Sequence, residues 1–116
     1  SDRLLWNMVD VRDVAKAHRM ATESGAAKNG SRYILSATDR SGELFTWELQ
    51  TKLKELFPEI KLIGGERMEN NKPIKATYDS PRSYCKKAIQ DLGLSTYSIV
   101  DTLRETGESY KKLGLL

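Results

Sequence analysis

The ten residues Val9-Asp10-Val11-Arg12-Asp13-Val14-Ala15-Lys16-Ala17-His18 decide how the chain is read, because the hydrophobic period changes inside them. Upstream, Leu4, Leu5, Trp6, Met8, Val9 and Val11 are apolar, which makes residues 4–11 a short strand. Downstream, Val11, Val14, Ala17, His18 and Ala21 recur at helical spacing and mark one face of a helix that Gly25 stops. Asp10 stands where a carboxylate caps such a helix by accepting from a first-turn N–H. Asp13, three residues later, occupies the place of the reciprocal partner in a capping box, although Asp fits it less well than Glu.

Working outward, Arg32-Tyr33-Ile34-Leu35 is a compact run without alternation, the pattern of a strand covered on both faces as in parallel sheets. The polar stretch 36–42 is a turn. Thr46 is placed to cap a second helix, with Leu49, Leu53, Leu56 and Phe57 at i, i+4, i+7 and i+8 and Pro58 closing it. Residues 60–63 form a third short strand before Gly64-Gly65, and the polar segment 66–76 is expected to be a mobile loop. Ser80-Pro81 opens a third helix, with Cys85, Ala88, Ile89 and Leu92 on its buried face and Gly93 at its end. Ser98 caps a fourth, whose inner face carries Ile99, Leu103, Tyr110 and Leu113 and which Gly114 stops. The order is β-α-β-α-β-α-α, a single α/β unit spanning residues 1–116 with a helical tail.

Composition narrows the function. With 19 basic and 16 acidic residues the net charge is only +3, and the signs are interleaved, as in Lys52-Leu53-Lys54-Glu55. That is a solvated mixed-sign surface and argues against nucleic acid as a partner. No apolar run approaches the roughly 20 residues needed to cross a bilayer, so no membrane partner is expected. Cys85 and His18 are the sole members of their types, which excludes an internal disulfide and a Cys/His zinc site. At this length roughly two-thirds of the unfolded surface can be buried, enough for one modest core. The opening Ser1-Asp2-Arg3 runs without methionine into apolar sequence and reads as a start within a longer protein. Neither a Gly-x-Gly-x-x-Gly nor a Walker loop is present, and Gly64-Gly65 reads as a turn. His18, on the apolar stripe, and Cys85, on a buried stripe, both read as packing residues. No catalytic residue, cofactor-binding residue or metal ligand is therefore assigned.

The stretch from Val9 to His18 resembles the Val-[His/Asp]-Val-[Arg/Asp]-Asp-Val-Ala-x-Ala-His signature of extended short-chain dehydrogenases/reductases, with the nearest look to cinnamoyl-CoA reductases and dihydroflavonol 4-reductases. Gly30-Ser31-Arg32-Tyr33-Ile34-Leu35-Ser36 is similar to that family's Gly-x-Arg-Tyr-Ile-x-Ser strand, and Leu53-Lys54-Glu55-Leu56-Phe57-Pro58-Glu59 to its Leu-[Lys/Arg]-x-x-[Tyr/Phe]-Pro-Glu helix end. The tail Lys111-Lys112-Leu113-Gly114-Leu115-Leu116 resembles its usual C-terminus. Asp79-Ser80-Pro81-Arg82 stands where the family often has Ser-x-Lys before a helix ending Asp-Leu-Gly, and the arginine is a departure.

The resemblance implies a fragment of a Rossmann-type reductase: its final third, with sheet-edge strands and a helical substrate-binding lobe. It implies a parent that reduces a small-molecule carbonyl, an aromatic aldehyde or ketone or a CoA thioester, by hydride transfer from NADP(H) in the cytoplasm. The family's glycine-rich motif, catalytic serine and Tyr-x-x-x-Lys pair lie upstream of the matched region. Tyr84 and Tyr110 do not supply the pair, since positions 88 and 114 are Ala and Gly. The chain is then expected to be inactive and to bind no cofactor alone, its partner being the N-terminal cofactor-binding portion. Asn7 falls where the family places an amide facing substrate, and Ser36, in the turn after the second strand, is a further substrate-facing candidate. Trp6 and Met8 then pack on the other side of the strand, while Asp10 and Asp13 keep structural roles at the helix start. The other reading is a free-standing binding or assembly module derived from this lobe. In either case the strand at 32–35, left without neighbours, predicts self-association through an uncovered sheet edge.

Overall fold

The computed structural model describes residues 5–62, 68–69, 72–73 and 85–116. The order is β1 (Leu5–Asn7), α1 (Val11–Glu23), a 3-10 turn (Asp39–Gly42), β2 (Glu43–Phe45), α2 (Thr46–Leu56), β3 (Met68–Glu69), β4 (Lys72–Pro73), α3 (Lys86–Leu92) and α4 (Ile99–Lys112). It is a mixed α/β arrangement of four helices with a two-stranded antiparallel sheet of β1 and β2, in register Leu5 with Phe45, Trp6 with Leu44 and Asn7 with Glu43. The short β3 and β4 pair antiparallel with each other. They are the described part of segment 66–76; the mobility expected there otherwise lies outside the described residues, as do Ile63-Gly64-Gly65 and the Ser80-Pro81 start.

All four expected helices are present, and local chemistry explains their ends. Asp10 caps α1, Ser98 caps α4 by accepting from the Asp101 N–H at 3.1 Å, and α3 closes on Gly93 in the left-handed region at φ 70°. The start of α2 differs from expectation. Thr46 is its first residue rather than its cap, and the Glu48 carboxylate reaches back to the Phe45 N–H at 2.9 Å. The Thr46 hydroxyl instead accepts from the Trp6 indole at 3.0 Å, tying α2 to β1. The described part of the third helix begins at Lys86, with Cys85 buried just before it.

The sheet is where the sequence misleads most. Arg32-Tyr33-Ile34-Leu35 is no doubly covered strand: residues 31–37 belong to no sheet, and Ile34 is 64% exposed. Tyr33 and Leu35 turn inward and Arg32 and Ile34 outward, so only one side is covered. Among the described residues no parallel pairing occurs. Residues 60–62 form no strand either; Ile60 and Leu62 lie half-buried beside α2 and α4.

The apolar interior is split in two. One cluster joins Ala17 of α1 to Ala88, Leu92 and Leu94, with Met20, Ala21, Tyr33 and Leu35 around it. The other joins Ala37 and Leu44 to Ile99 and Leu103, with Met8 and the leucines of α2. Each helix touches only one cluster, so buried stripes are narrower than the sequence spacing implies. Val11 and His18 of α1, Ile89 of α3, Tyr110 of α4 and Leu113 just past its end are all exposed, contrary to expectation. Tyr110 lines the apolar space between β1, α2 and α4 yet stays 48% exposed.

Two glycines permit close approaches. Gly42, at φ 74°, lets its carbonyl accept from the Met8 N–H at 2.9 Å, and a Cβ there would lie 2.4 Å from the Met8 carbonyl oxygen. Gly107, buried within α4, receives the Phe57 ring: a Cβ would stand 2.1 Å from Cζ. Gly107→Ala gains helix propensity but overpacks this contact, and a net loss of about 1–3 kcal/mol is expected in urea unfolding. Unchanged or higher stability would show that Phe57 moves aside freely.

Candidate functional site

Two of the buried charged side chains, Asp10 and Asp13, sit at the start of α1. Asp10 Oδ1 accepts from the Arg12 N–H at 2.8 Å and from Arg12 Nε at 2.9 Å. Its Oδ2 accepts from Arg12 Nη2 at 2.8 Å and from the Thr102 hydroxyl of α4 at 3.0 Å. A planar guanidinium suits this two-point contact, and its outer face stacks on Tyr97, 3.6 Å from the ring centroid. The Arg12 hydrogen bonds, helped by those of Thr102, hold the Asp10 carboxyl down at about 2, and the same pairing keeps Arg12 protonated.

Asp13 does not complete a capping box. Its side chain is fully buried, and Oδ2 accepts from the Tyr97 N–H at 2.9 Å, which fixes the loop between α3 and α4 against α1. Lys16 Nζ stands 3.6 Å from Asp13 Oδ1 and donates to the Ser95 carbonyl at 2.6 Å. Lys16 Nζ also lies 3.5 Å from Ser95 Oγ, at the limit of a hydrogen bond, so its hold on this loop is chiefly the bond to the Ser95 carbonyl. Asp39 accepts from the Ile99 N–H through both oxygens, at 3.2 and 3.1 Å, and so joins the 3-10 turn to the α4 start.

The expected substrate-facing residues separate. Asn7 is exposed on β1, opposite Glu43. Ser36 is fully buried, with no hydrogen-bond partner for its hydroxyl, and so does not face the surface that Asn7 faces. Trp6 and Met8 do lie together on the other side of β1. With Leu49, Leu53, Phe57 and Leu103 they line an apolar cleft of about 350 Å³ between β1, α2 and α4. Among the described residues that line it, Tyr110 alone carries a titratable side chain, and the wall is otherwise apolar, suited to sequestering an apolar group. His18 sits outside it, exposed, its Nδ1 2.8 Å from the Val14 carbonyl. Among the described residues no three His, Cys, Asp or Glu side chains gather as a metal site would need, and no helix is long and apolar enough to cross a membrane.

Further cross-links were not expected. The Tyr33 phenol donates to Asp91 at 3.1 Å beneath Lys87, and burial together with that carboxylate raises the phenol pKa. Glu59 pairs with Lys111, which lies over the Phe57 ring; the pairing lowers the carboxyl and raises the amine. Tyr97, Asp39 and Thr102 were missed because their partners lie 60 to 92 positions away. Compared with models of known protein families and with curated proteins, the chain matches none.

Two outcomes follow for the buried polar residues. The folded Asp10 pKa lies below its ordinary 3.8, so the clamp contributes its full stability above that value and loses it as pH falls through about 2. Urea midpoints of the parent chain are expected to fall over that window, and Asp10→Asn to remove most of the fall. Ser36→Ala deletes a buried hydroxyl with no partner and is expected to leave stability unchanged or improved. A loss above about 1 kcal/mol would show that the hydroxyl is bonded.

Proposed function

We propose that the chain is the substrate-side lobe of an NADP-dependent carbonyl reductase of the extended short-chain type, working in the cytoplasm with an upstream cofactor-binding portion. The carrying observation is the ordered set of four motifs, whose residues are cross-linked to the rest of the chain. Asp10 and Asp13 of the first reach Thr102 and Tyr97; Tyr33 of the second reaches Asp91; Glu59 of the third reaches Lys111 of the fourth. Residues that join distant elements are those a fold needs together, so their joint occurrence speaks for the architecture of that lobe.

The chain has no glycine-rich turn with which to cradle a dinucleotide, so in this reading the hydride donor and the proton donor belong to the upstream portion. The contribution of the lobe is binding. Asn7 presents an amide able to donate to and accept from a phenol or carbonyl of the substrate. Trp6 and Met8 hold its strand from behind, with the Trp6 indole anchored on Thr46. The lobe positions the substrate and leaves the chemistry to residues that it does not contain.

The test is to join the chain to its upstream coding sequence and follow NADPH oxidation with aromatic aldehydes, aromatic ketones and CoA thioesters. Turnover of at least one class is expected, with Asn7→Leu raising KM more than it lowers kcat. Absence of NADPH oxidation with all three classes would overturn the reading, as would tight NADPH binding by the isolated 116-residue chain.

A further inference from the structure

We propose that Asn29 is a site of spontaneous covalent modification, at which the backbone nitrogen of Gly30 displaces the side-chain amide and leaves an aspartyl or isoaspartyl residue. The proposal does not rest on the reductase reading. The chain holds four asparagines, Asn7, Asn29, Asn70 and Asn71, and Asn29 alone is followed by glycine. The following residue matters because its amide nitrogen is the nucleophile that closes a ring on the asparagine Cγ. A Cβ on that residue crowds the approach, and glycine has none.

The two reacting groups stand at the tip of a tight turn between α1 and segment 31–37. The Ser31 N–H donates to the Lys28 carbonyl at 2.9 Å, and the Lys28 N–H donates to Ser31 Oγ at 3.1 Å. These bonds close the turn below its two central residues, and Gly30 takes φ 81° at the third position, where glycine is favoured. Asn29 and Gly30 are both exposed, and a Cβ built on Gly30 would meet nothing within 4 Å. Among the described residues, neither the Asn29 side chain nor the Gly30 N–H has a hydrogen-bond partner, so both the electrophile and the nucleophile are open to solvent. Asn7, by contrast, lies within β1 opposite Glu43. Asn70 and Asn71 lie outside the described residues.

Water is the co-reactant, and nothing is oxidised or reduced. The Gly30 nitrogen gives its proton to a base of the solvent and bonds to Asn29 Cγ. The Cγ–Nδ2 bond breaks, and the nitrogen leaves as ammonia with the transferred proton. Water then opens the cyclic imide at one of its two carbonyls. Attack at Cγ restores the ordinary main chain with an aspartate at position 29. Attack at the main-chain carbonyl leaves the chain running through Cγ, an isoaspartate with one more backbone carbon. Either product places a carboxylate next to Lys28 and takes one unit from the net charge of +3.

The test incubates the 116-residue chain in warm, mildly alkaline buffer made with heavy-oxygen water, followed by digestion and mass spectrometry of the peptides. The peptide holding residue 29 is expected to exchange its amide for a labelled carboxyl and to separate into two products of equal mass, aspartyl and isoaspartyl. Its rate is expected to fall within an order of magnitude of that of a free peptide spanning residues 27–33, while residues 7, 70 and 71 keep their amides over the same period. Asn29→Gln keeps an exposed amide but needs a larger ring, and is expected to abolish the labelling. Gly30→Ala is expected to slow it several-fold. Labelling more than an order of magnitude slower than in the free peptide, labelling of another asparagine as fast as Asn29, a single aspartyl product, or labelling that persists in Asn29→Gln would each overturn the proposal.

Discussion

The carboxylate of Asp10 is the point on which the described fold turns. It caps α1, holds the Arg12 guanidinium as a plate that Tyr97 covers, and accepts a hydroxyl hydrogen bond from α4. One side chain thus fixes the direction in which α1 leaves the sheet and the distance at which α4 passes it. A neutral side chain at this position loses the two-point contact with the guanidinium, and with it the stack that holds the loop before α4. Asp13, one turn along, repeats the device through the Tyr97 N–H. Two acidic residues on the first turn of one helix, which also suit its positive end, organise chain segments more than 80 positions away.

These polar links matter because the apolar interior is divided. The α1–α3 cluster and the β2–α2–α4 cluster are each small, and the loop between α3 and α4 passes from one to the other. Asp13, Lys16 and Asp39 hold that passage by hydrogen bonds to backbone groups of Tyr97, Ser95 and Ile99. Backbone groups at a helix start and in the loop before it need partners, and charged side chains placed nearby satisfy them without a continuous core.

Helix existence and helix ends were legible because they depend on neighbours in sequence: Asp10 before Val11, Ser98 before Ile99, Gly93 after Leu92. The exact face was not. The buried stripe of α1 runs through Asp13 and Ala17 rather than through Val11 and His18, since a polar residue that finds a distant N–H partner is buried in preference to an apolar one that finds no neighbour. The same limit explains 32–35. An unbroken apolar run states that the segment can be covered on two faces, whereas cover itself is supplied by elements elsewhere. Among the candidate site residues, the caps at Asp10 and the exposure of Asn7 agree with local reasoning. The burial of Ser36 does not, because the depth of a turn is set by what packs over it.

Several features of incomplete packing coincide. Ser36 Oγ is buried without a hydrogen bond, the backbone at 32–36 makes no ladder among the described residues, and Ile34, Tyr110 and Leu113 lie open to solvent. A self-sufficient domain of this size pairs its buried polar atoms and turns its larger apolar side chains inward. In the proposed reading, an upstream body covers the open apolar side chains, while the buried Ser36 hydroxyl lies inside this chain and is not reached by it. The motif residues Asp10, Asp13, Tyr33, Glu59 and Lys111 each make a contact that joins separate elements of the described fold. The residues that carry the resemblance are therefore connectors within the described fold, whereas Asn7 is exposed on the short sheet.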